Sequence, residues 1–223
     1  MKYAVVNRYV LKIVPVEARR ILDVGCGSGL LGGEIKRLRN CEVIGITLSE
    51  SEAQEASKFL DKILVCDLNK YDPGELGKFD CVLCSHVLEH LYYPKRLLEL
   101  LRNNLNDHGL LIIALPNVVY WQQRLEFLKG KFRYTNEGLL DYTHMRFFDY
   151  QTALELIQDA GYKVLSKFFD GHFPLPVIRN LSKSLAYIVD KTAIKVAPGL
   201  FTRQFIFVAQ VDTRSKVNQQ LDS

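Results

Sequence analysis

An α/β fold built on one doubly wound, mostly parallel sheet is what this sequence predicts, and three observations carry it. Short apolar runs alternate with longer segments of helical spacing through most of the 223 residues. One run, residues 110–115 (Leu-Leu-Ile-Ile-Ala-Leu), is apolar throughout, as a strand covered on both faces must be. A glycine-rich break at residues 25–29 joins the first strand-like run to the first long helical one. Such alternation implies right-handed β-α-β crossovers, hence parallel neighbours with helices on both faces.

Taken in order, residues 1–18 repeat Val5-Val6, Tyr9-Val10 and Ile13-Val14 at helical spacing and read as an amphipathic helix stopped near Pro15. Strands are expected at 20–24, 41–46, 62–66, 79–84 and 109–115, and helices at 28–39, 50–60, 93–105 and 150–160. After Gly161 come two more strand candidates, Tyr162–Phe169 and Gln204–Val211. Between them, residues 175–197 have helical spacing and end at Pro198-Gly199, with Leu181, Leu185, Ile188 and Val189 read as core-facing. Seven strands then complete a Rossmann-like sheet whose last strand is antiparallel. One domain is expected over residues 1–212, with 116–148 as an insertion after the fifth strand and 213–223 as a polar tail.

Composition narrows the function. The chain is 48% hydrophobic and 24% charged, which is ordinary for a globular domain, and its net charge of +4 gives no reason to expect a nucleic-acid partner. The small basic clusters Lys36-Arg37-Arg39 and Lys129-Lys131-Arg133 read as solvated faces. Five cysteines, an odd number set mostly in apolar runs, read as reduced buried thiols. Cys81 and Cys84 are three apart on a strand, so they face opposite ways and no metal is expected there. The longest apolar run, Leu110–Pro116, is too short to cross a membrane, and a soluble, cytoplasmic protein is expected.

The most informative stretch is Ile21-Leu-Asp-Val-Gly-Cys-Gly-Ser-Gly-Leu30. A sharp strand-to-helix turn, and a ligand lying against its backbone, both need residues without Cβ. Asp23 beside the glycines suits a ligand carrying a positive group such as an amine. A dinucleotide fingerprint would put its third glycine at position 30, which is Leu30.

The pattern Asp-x-Gly-x-Gly-x-Gly resembles the first motif of class I S-adenosylmethionine (SAM)-dependent methyltransferases. That resemblance implies SAM as cofactor, with Gly25, Gly27 and Gly29 against its methionine part and Asp23 orienting the ammonium. Most such enzymes place an acid after the second strand for the ribose hydroxyls, whereas this chain has Thr47. The run Gly45-Ile-Thr-Leu-Ser49 is similar to a variant in cyclopropane-fatty-acid-synthase-like methyltransferases. There a polar side chain of the next helix assists, which points to Glu52, or else Glu50. Helix capping by Ser49 with acids in the first turn accounts for the same residues. After the third strand, Asp67 is implied to accept from the adenine amine and Leu68 to pack on its ring; a turn-forming Asp is the plain alternative.

After the fourth strand, Ser85-His86-Val87-Leu88-Glu89-His90 resembles the family's fourth motif, particularly its ubiquinone-biosynthesis branch, and implies that Ser85 and His86 line the pocket near the sulfonium. The same letters match a zinc-protease signature, which belongs inside a longer helix than this context offers. His86, Glu89 and His90 could share one side of a turn and hold a divalent ion, but no metal is expected.

The insertion concentrates aromatics with Asn117, Arg124, Asp141, His144 and Arg146, a composition that suits a small-molecule pocket. It resembles a subgroup including the methionine-biosynthesis W protein and glycan-pathway methyltransferases. The reading that follows is methyl transfer to a small acceptor, a hydroxyl of a sugar or related metabolite. An oxygen acceptor needs a base, for which His144 is the candidate, oriented by Asp141. The alternative is that His144 and Arg146 fasten the insertion to the sheet, with Arg146 paired to Asp141. Two other functions compete: an NAD-linked oxidoreductase, disfavoured by Leu30 and Thr47, and a SAM-binding protein without turnover.

Overall fold

The computed structural model describes residues 6–174, 180 and 182–213. Seven strands form one sheet in the order β3-β2-β1-β4-β5-β7-β6. They are β1 (Arg20–Val24), β2 (Glu42–Thr47), β3 (Lys62–Val65), β4 (Phe79–Ser85), β5 (Leu105–Pro116), β6 (Tyr162–Gly171) and β7 (Thr202–Val211). β1 to β5 are mutually parallel, and β7 runs antiparallel between β5 and β6. The sheet is therefore the expected Rossmann-like one, with the last strand inserted one place in from the edge. The order reverses between β1 and β4, which is where such sheets open a crevice at their carboxyl ends.

Alternation along the strands divides the core into two layers. Leu22, Val24, Val82, Cys84, Leu111, Ile113, Phe205 and Phe207 pack against α4 (Pro94–Leu101) and α6 (Tyr150–Asp159). Ile21, Val43, Cys81, Leu83, Ile112, Ile206 and Val208 face α1 (Arg8–Ile13), α2 (Leu30–Leu38) and α3 (Glu50–Ala56). Cys81 and Cys84 thus lie in different layers. Buried Tyr162 at the start of β6 ties the first layer to α4, donating from its hydroxyl to the Leu98 carbonyl at 2.7 Å.

Several elements end where tertiary contacts take over. α1 starts at Arg8, capped by Asn7, and stops before Pro15; the part of the expected helix at residues 1–5 lies outside the described residues. α3 stops at Ala56 rather than continuing to 60, because the chain turns to seat Leu60 in the core and to give Val43 N–H the carboxylate of Asp61 at 2.7 Å. α4 gives way to a 3-10 turn at Arg102–Asn104, where buried Asn104 donates to the Pro73 and Gly77 carbonyls.

The expected 175–197 helix appears as α7 (Lys183–Val196), after α5 (Trp121–Leu128) of the insertion; residues 175–179 and Leu181 lie outside the described residues. Its core-facing positions need correction. Leu185 and Ile188 are exposed, and Ala186 and Ala193 are the buried residues. A helix lying close on a strand end buries its small side chains and leaves the large ones outside. Of the expected polar tail, residues 214–223 also lie outside the described residues.

Tyr162→Phe should lower the unfolding free energy by about 1 to 2 kcal/mol, because it deletes a buried hydrogen bond without changing shape. Chemical denaturation of the two proteins measures this, and an unchanged midpoint would show that the Leu98 carbonyl does not depend on the hydroxyl.

Candidate functional site

The carboxyl ends of β1, β2, β3 and β4 bring the sequence-predicted residues to one edge. At the end of β1 the chain turns through Gly25, Gly27 and Gly29, with φ of 72°, 51° and 78°. Two of these glycines are also required by packing. A Cβ on Gly25 would lie 2.6 Å from Val87 Cγ2, and one on Gly29 would lie 2.9 Å from the Cα of Ala56. Gly27 is different: nearest to its Cβ position is Glu52 Oε1, at 4.0 Å. The turn is therefore clamped at both ends and open in its middle.

Asp23 lies beneath this turn, 2% exposed, with Oδ2 buried and lacking a hydrogen-bond partner among the described residues. Burial disfavours its charged form and raises its pKa to about 7, against a smaller opposing pull from the Gly32 backbone N–H. A carboxylate so placed lacks a counter-charge of its own.

Across the crevice, the hydroxyl of Thr47 donates to Glu52 Oε2 at 2.8 Å. Ser49 Oγ caps α3 by accepting from the Glu52 backbone N–H at 3.4 Å, so capping and the Glu52 side chain are separate matters. The Glu52 carboxylate turns back to the strand end and toward Gly27, while Glu50 is exposed. Asp67 uses Oδ1 to accept from both the backbone and side-chain N–H groups of Asn69, bonds that hold its carboxyl below the usual range. Neighbouring Leu68 is half-buried against the core.

At the end of β4 the structure adds residues that the sequence did not single out. His86 stands in the left-handed region, φ 55°. Its ring donates from Nε2 to Gln204 Oε1 at 2.8 Å and from Nδ1 to Glu89 Oε1 at 3.2 Å. Burial works against its imidazolium, but the bonds to Glu89 and Gln204 prevail and hold its pKa above the ordinary histidine value. Gln204 in turn donates to Asp170, and Asn7 donates to both Gln204 and Ser85. Asn7, Asp170 and Gln204 stand far apart in the chain, and no local spacing marks them.

The insertion docks beside this turn. Met145 and Arg146 donate their backbone N–H groups to the Glu89 carbonyl at 2.8 and 3.0 Å. The Arg146 guanidinium donates to the Tyr92 carbonyl at 2.7 and 3.1 Å. His144 is 8% exposed, its Nδ1 held 3.1 Å from the Leu139 carbonyl. Asp141 accepts at Oδ1 from the backbone and hydroxyl of Thr143. The ring of His144 is thus oriented by Leu139, and Asp141 shapes the loop that carries it. Burial, assisted by neighbouring His90, lowers the His144 pKa against the opposing pull of Glu89. Asn117, fully buried, fastens the start of the insertion to the Gly199 and Thr202 carbonyls. Arg124 donates to the Val119 carbonyl within its own helix cap, and a chain of rings runs through Phe127, Phe132, Tyr134, Phe147 and His144.

Comparison with known proteins sets this geometry in context. A family described as a methyltransferase domain matches residues 3–167. The ubiquinone biosynthesis O-methyltransferase of Bradyrhizobium diazoefficiens is 35% identical over 104 residues, covering 44% of this chain and 40% of that protein. The corresponding protein of Dechloromonas aromatica is 39% identical over 90 residues, covering 36% and 37%. The chain spans less than half the length of these curated relatives. Among solved structures, a SAM-dependent methyltransferase from Archaeoglobus fulgidus superposes with a TM-score of 0.61 at 20% identity, covering 91% of this chain and 89% of that one. One from Mesorhizobium loti gives 0.59 at 18% identity, covering 92% and 98%. Both share the fold.

Asp23 supplies a pH test of the site without any ligand. Its folded pKa is about 7 against an ordinary 3.8, so its stability contribution is fully present below the unfolded pKa and lost as pH rises through the folded one. Between pH 4 and 7 the ligand-free protein should lose up to about 1.4 kcal/mol per pH unit from this group. Asp23→Asn should flatten that slope in denaturation curves at several pH values; parallel slopes would refute the buried-carboxyl assignment.

Proposed function

This chain belongs to the class I SAM-dependent methyltransferase family, and from that premise we propose that it methylates a hydroxyl of a small-molecule acceptor, a sugar or related metabolite, at the expense of SAM. The observation that carries the cofactor half is Asp23: a buried carboxyl with an orphaned oxygen beneath a glycine turn whose middle position is open. A ligand ammonium meets the missing partner, and the glycine backbone admits a chain lying against it. Thr47 and Glu52, already joined, offer a carboxylate beside that turn for the ribose hydroxyls. Asp67 and Leu68 at the end of β3 are assigned to the adenine, and Ser85 and His86 to the reacting end.

When bound, SAM supplies a methyl group already activated by its positive sulfonium. What remains for the chain is to align the acceptor, exclude water and take the acceptor's proton. His144 is assigned to that acceptor side. It is buried, uncharged at neutral pH by virtue of its lowered pKa, and held by Leu139 at the junction between the insertion and the β4 turn. Asp141 supports it by shaping the loop through Thr143. The aromatic insertion supplies apolar area for an acceptor with polar groups at few points. The O-methyltransferase names of the curated relatives favour oxygen over nitrogen as the acceptor atom.

Calorimetric titration should show saturable binding of SAM and S-adenosylhomocysteine and no response to NAD. Glu52→Gln should weaken both adenosyl ligands about tenfold, close to 1.4 kcal/mol. Absence of adenosyl binding at millimolar concentration would overturn the reading. With a cell extract as acceptor source, His144→Ala should cut formation of S-adenosylhomocysteine by about a hundredfold or more while leaving its affinity unchanged. Loss of cofactor affinity in that variant would remove His144 from the acceptor side.

A further inference from the structure

Glu89 sits in the 3-10 turn Leu88–His90, 1% exposed, and its two carboxylate oxygens fare differently. Oε1 accepts from His86; Oε2 is buried and has no hydrogen-bond partner among the described residues. A carboxylate oxygen buried without a donor bears an uncompensated desolvation cost, so such an atom points to a bound cation. Two imidazoles stand by the carboxylate, His90 and His144, from segments 54 residues apart in sequence, and one ligand atom from each lies within 4.8 Å of a Glu89 oxygen and of the other.

The two rings are prepared in the same way. His144 Nδ1 lies 3.1 Å from the Leu139 carbonyl and His90 Nδ1 lies 3.1 Å from the Thr143 carbonyl. A carbonyl only accepts, and the Thr143 hydroxyl, 3.0 Å from His90 Nδ1, gives its own hydrogen to Asp141, so Nδ1 carries the hydrogen in both neutral rings and Nε2 the lone pair. Backbone carbonyls fix metal-binding histidines in this tautomer by the same contact. The rings meet edge to face at 4.7 Å between centroids, and the backbone bonds from Met145 and Arg146 to the Glu89 carbonyl hold the two segments together. His86, which shares the turn with Glu89 and His90, is not the third ligand: its Nε2 is turned to Gln204.

We propose that Glu89, His90 and His144 form a binding site for one divalent transition-metal ion of the zinc, cobalt or manganese type. Two imidazoles with one carboxylate suit such ions, whereas magnesium and calcium take oxygen ligands almost throughout. Neighbouring ligand atoms around zinc stand about 3.4 Å apart for bonds near 2.0–2.1 Å, so small side-chain rotations close the set. Three protein ligands leave positions open, and an acceptor hydroxyl on the ion would lose its proton to solvent more readily; with the ion bound, His144 serves as a ligand and this replaces the proton uptake assigned to it in the metal-free site. That use rests on the methyl-transfer reading; binding of the ion does not.

The test is titration of the metal-stripped full chain with Co²⁺, followed by visible absorption and calorimetry. The expected result is a saturable ligand-field band at one ion per chain, displaced by Zn²⁺ and not by Mg²⁺. Glu89→Gln and His144→Asn should each weaken Co²⁺ roughly a hundredfold or more, with S-adenosylhomocysteine affinity and the thermal unfolding midpoint as controls for fold. Should Glu89→Gln fail to fold, His144→Asn and the wild-type titration still decide. No saturable band from the wild type, or equal affinity in His144→Asn, overturns the site. A normal band without adenosyl binding sustains the site and overturns the methyl-transfer reading instead.

Discussion

The structure depends on how closely the turn after β1 is packed. Gly25 leaves no room for a side chain against Val87 of the β4 turn, and Gly29 none against the backbone of α3 at Ala56. Those two contacts draw the ends of β1, β2 and β4 to one edge at the point where strand order reverses. A larger residue at either position would push α3 or the β4 turn away and open the floor of the crevice. The same closeness leaves Asp23 buried, so the site carries a carboxyl that water cannot reach and that the protein does not neutralise.

The edge divides electrostatically along β4. On the β1–β2 side stand Asp23, Glu52 and, further out, Asp67, which favour a ligand bearing donors and positive charge. On the β7 side, His86 is held between Glu89 and Gln204, bonds that raise its pKa, and Gln204 is itself fixed by Asp170 and Asn7. Strain in the left-handed His86 backbone is sustained by this over-determined set of bonds, as strained residues at functional sites generally are. The insertion joins here through the Glu89 carbonyl, so it is tied to the same turn that carries His86.

How much of this was legible in the sequence differs by element. The strands, the order of helices and the two-faced placement of Cys81 and Cys84 follow from periodicity, because a strand's alternation and a helix's repeat are written into neighbouring residues, whereas the antiparallel last strand is what the family resemblance implies. The glycine turn was legible for the same reason: the backbone demands of a sharp turn are local. Leu185 and Ile188 were misread as core because periodicity tells which residues share a face, not which face the sheet covers. The bond from His144 Nδ1 to the Leu139 carbonyl was not legible, because a backbone carbonyl leaves no mark in the residue types.

What the sequence determined by itself is therefore the doubly wound sheet, the crevice at its carboxyl edge and the glycine turn after β1, all set by local rules of chirality, period and turn chemistry. The tertiary structure alone decided what the side chains at that edge meet. It turned Glu52 back onto Thr47, set His86 between Glu89 and Gln204, and brought His144 from the insertion onto Glu89 and His90. These pairings join residues from 3 to 118 positions apart. Nothing local encodes them, because the distance between two side chains in space is fixed by strand order and loop docking rather than by their separation along the chain.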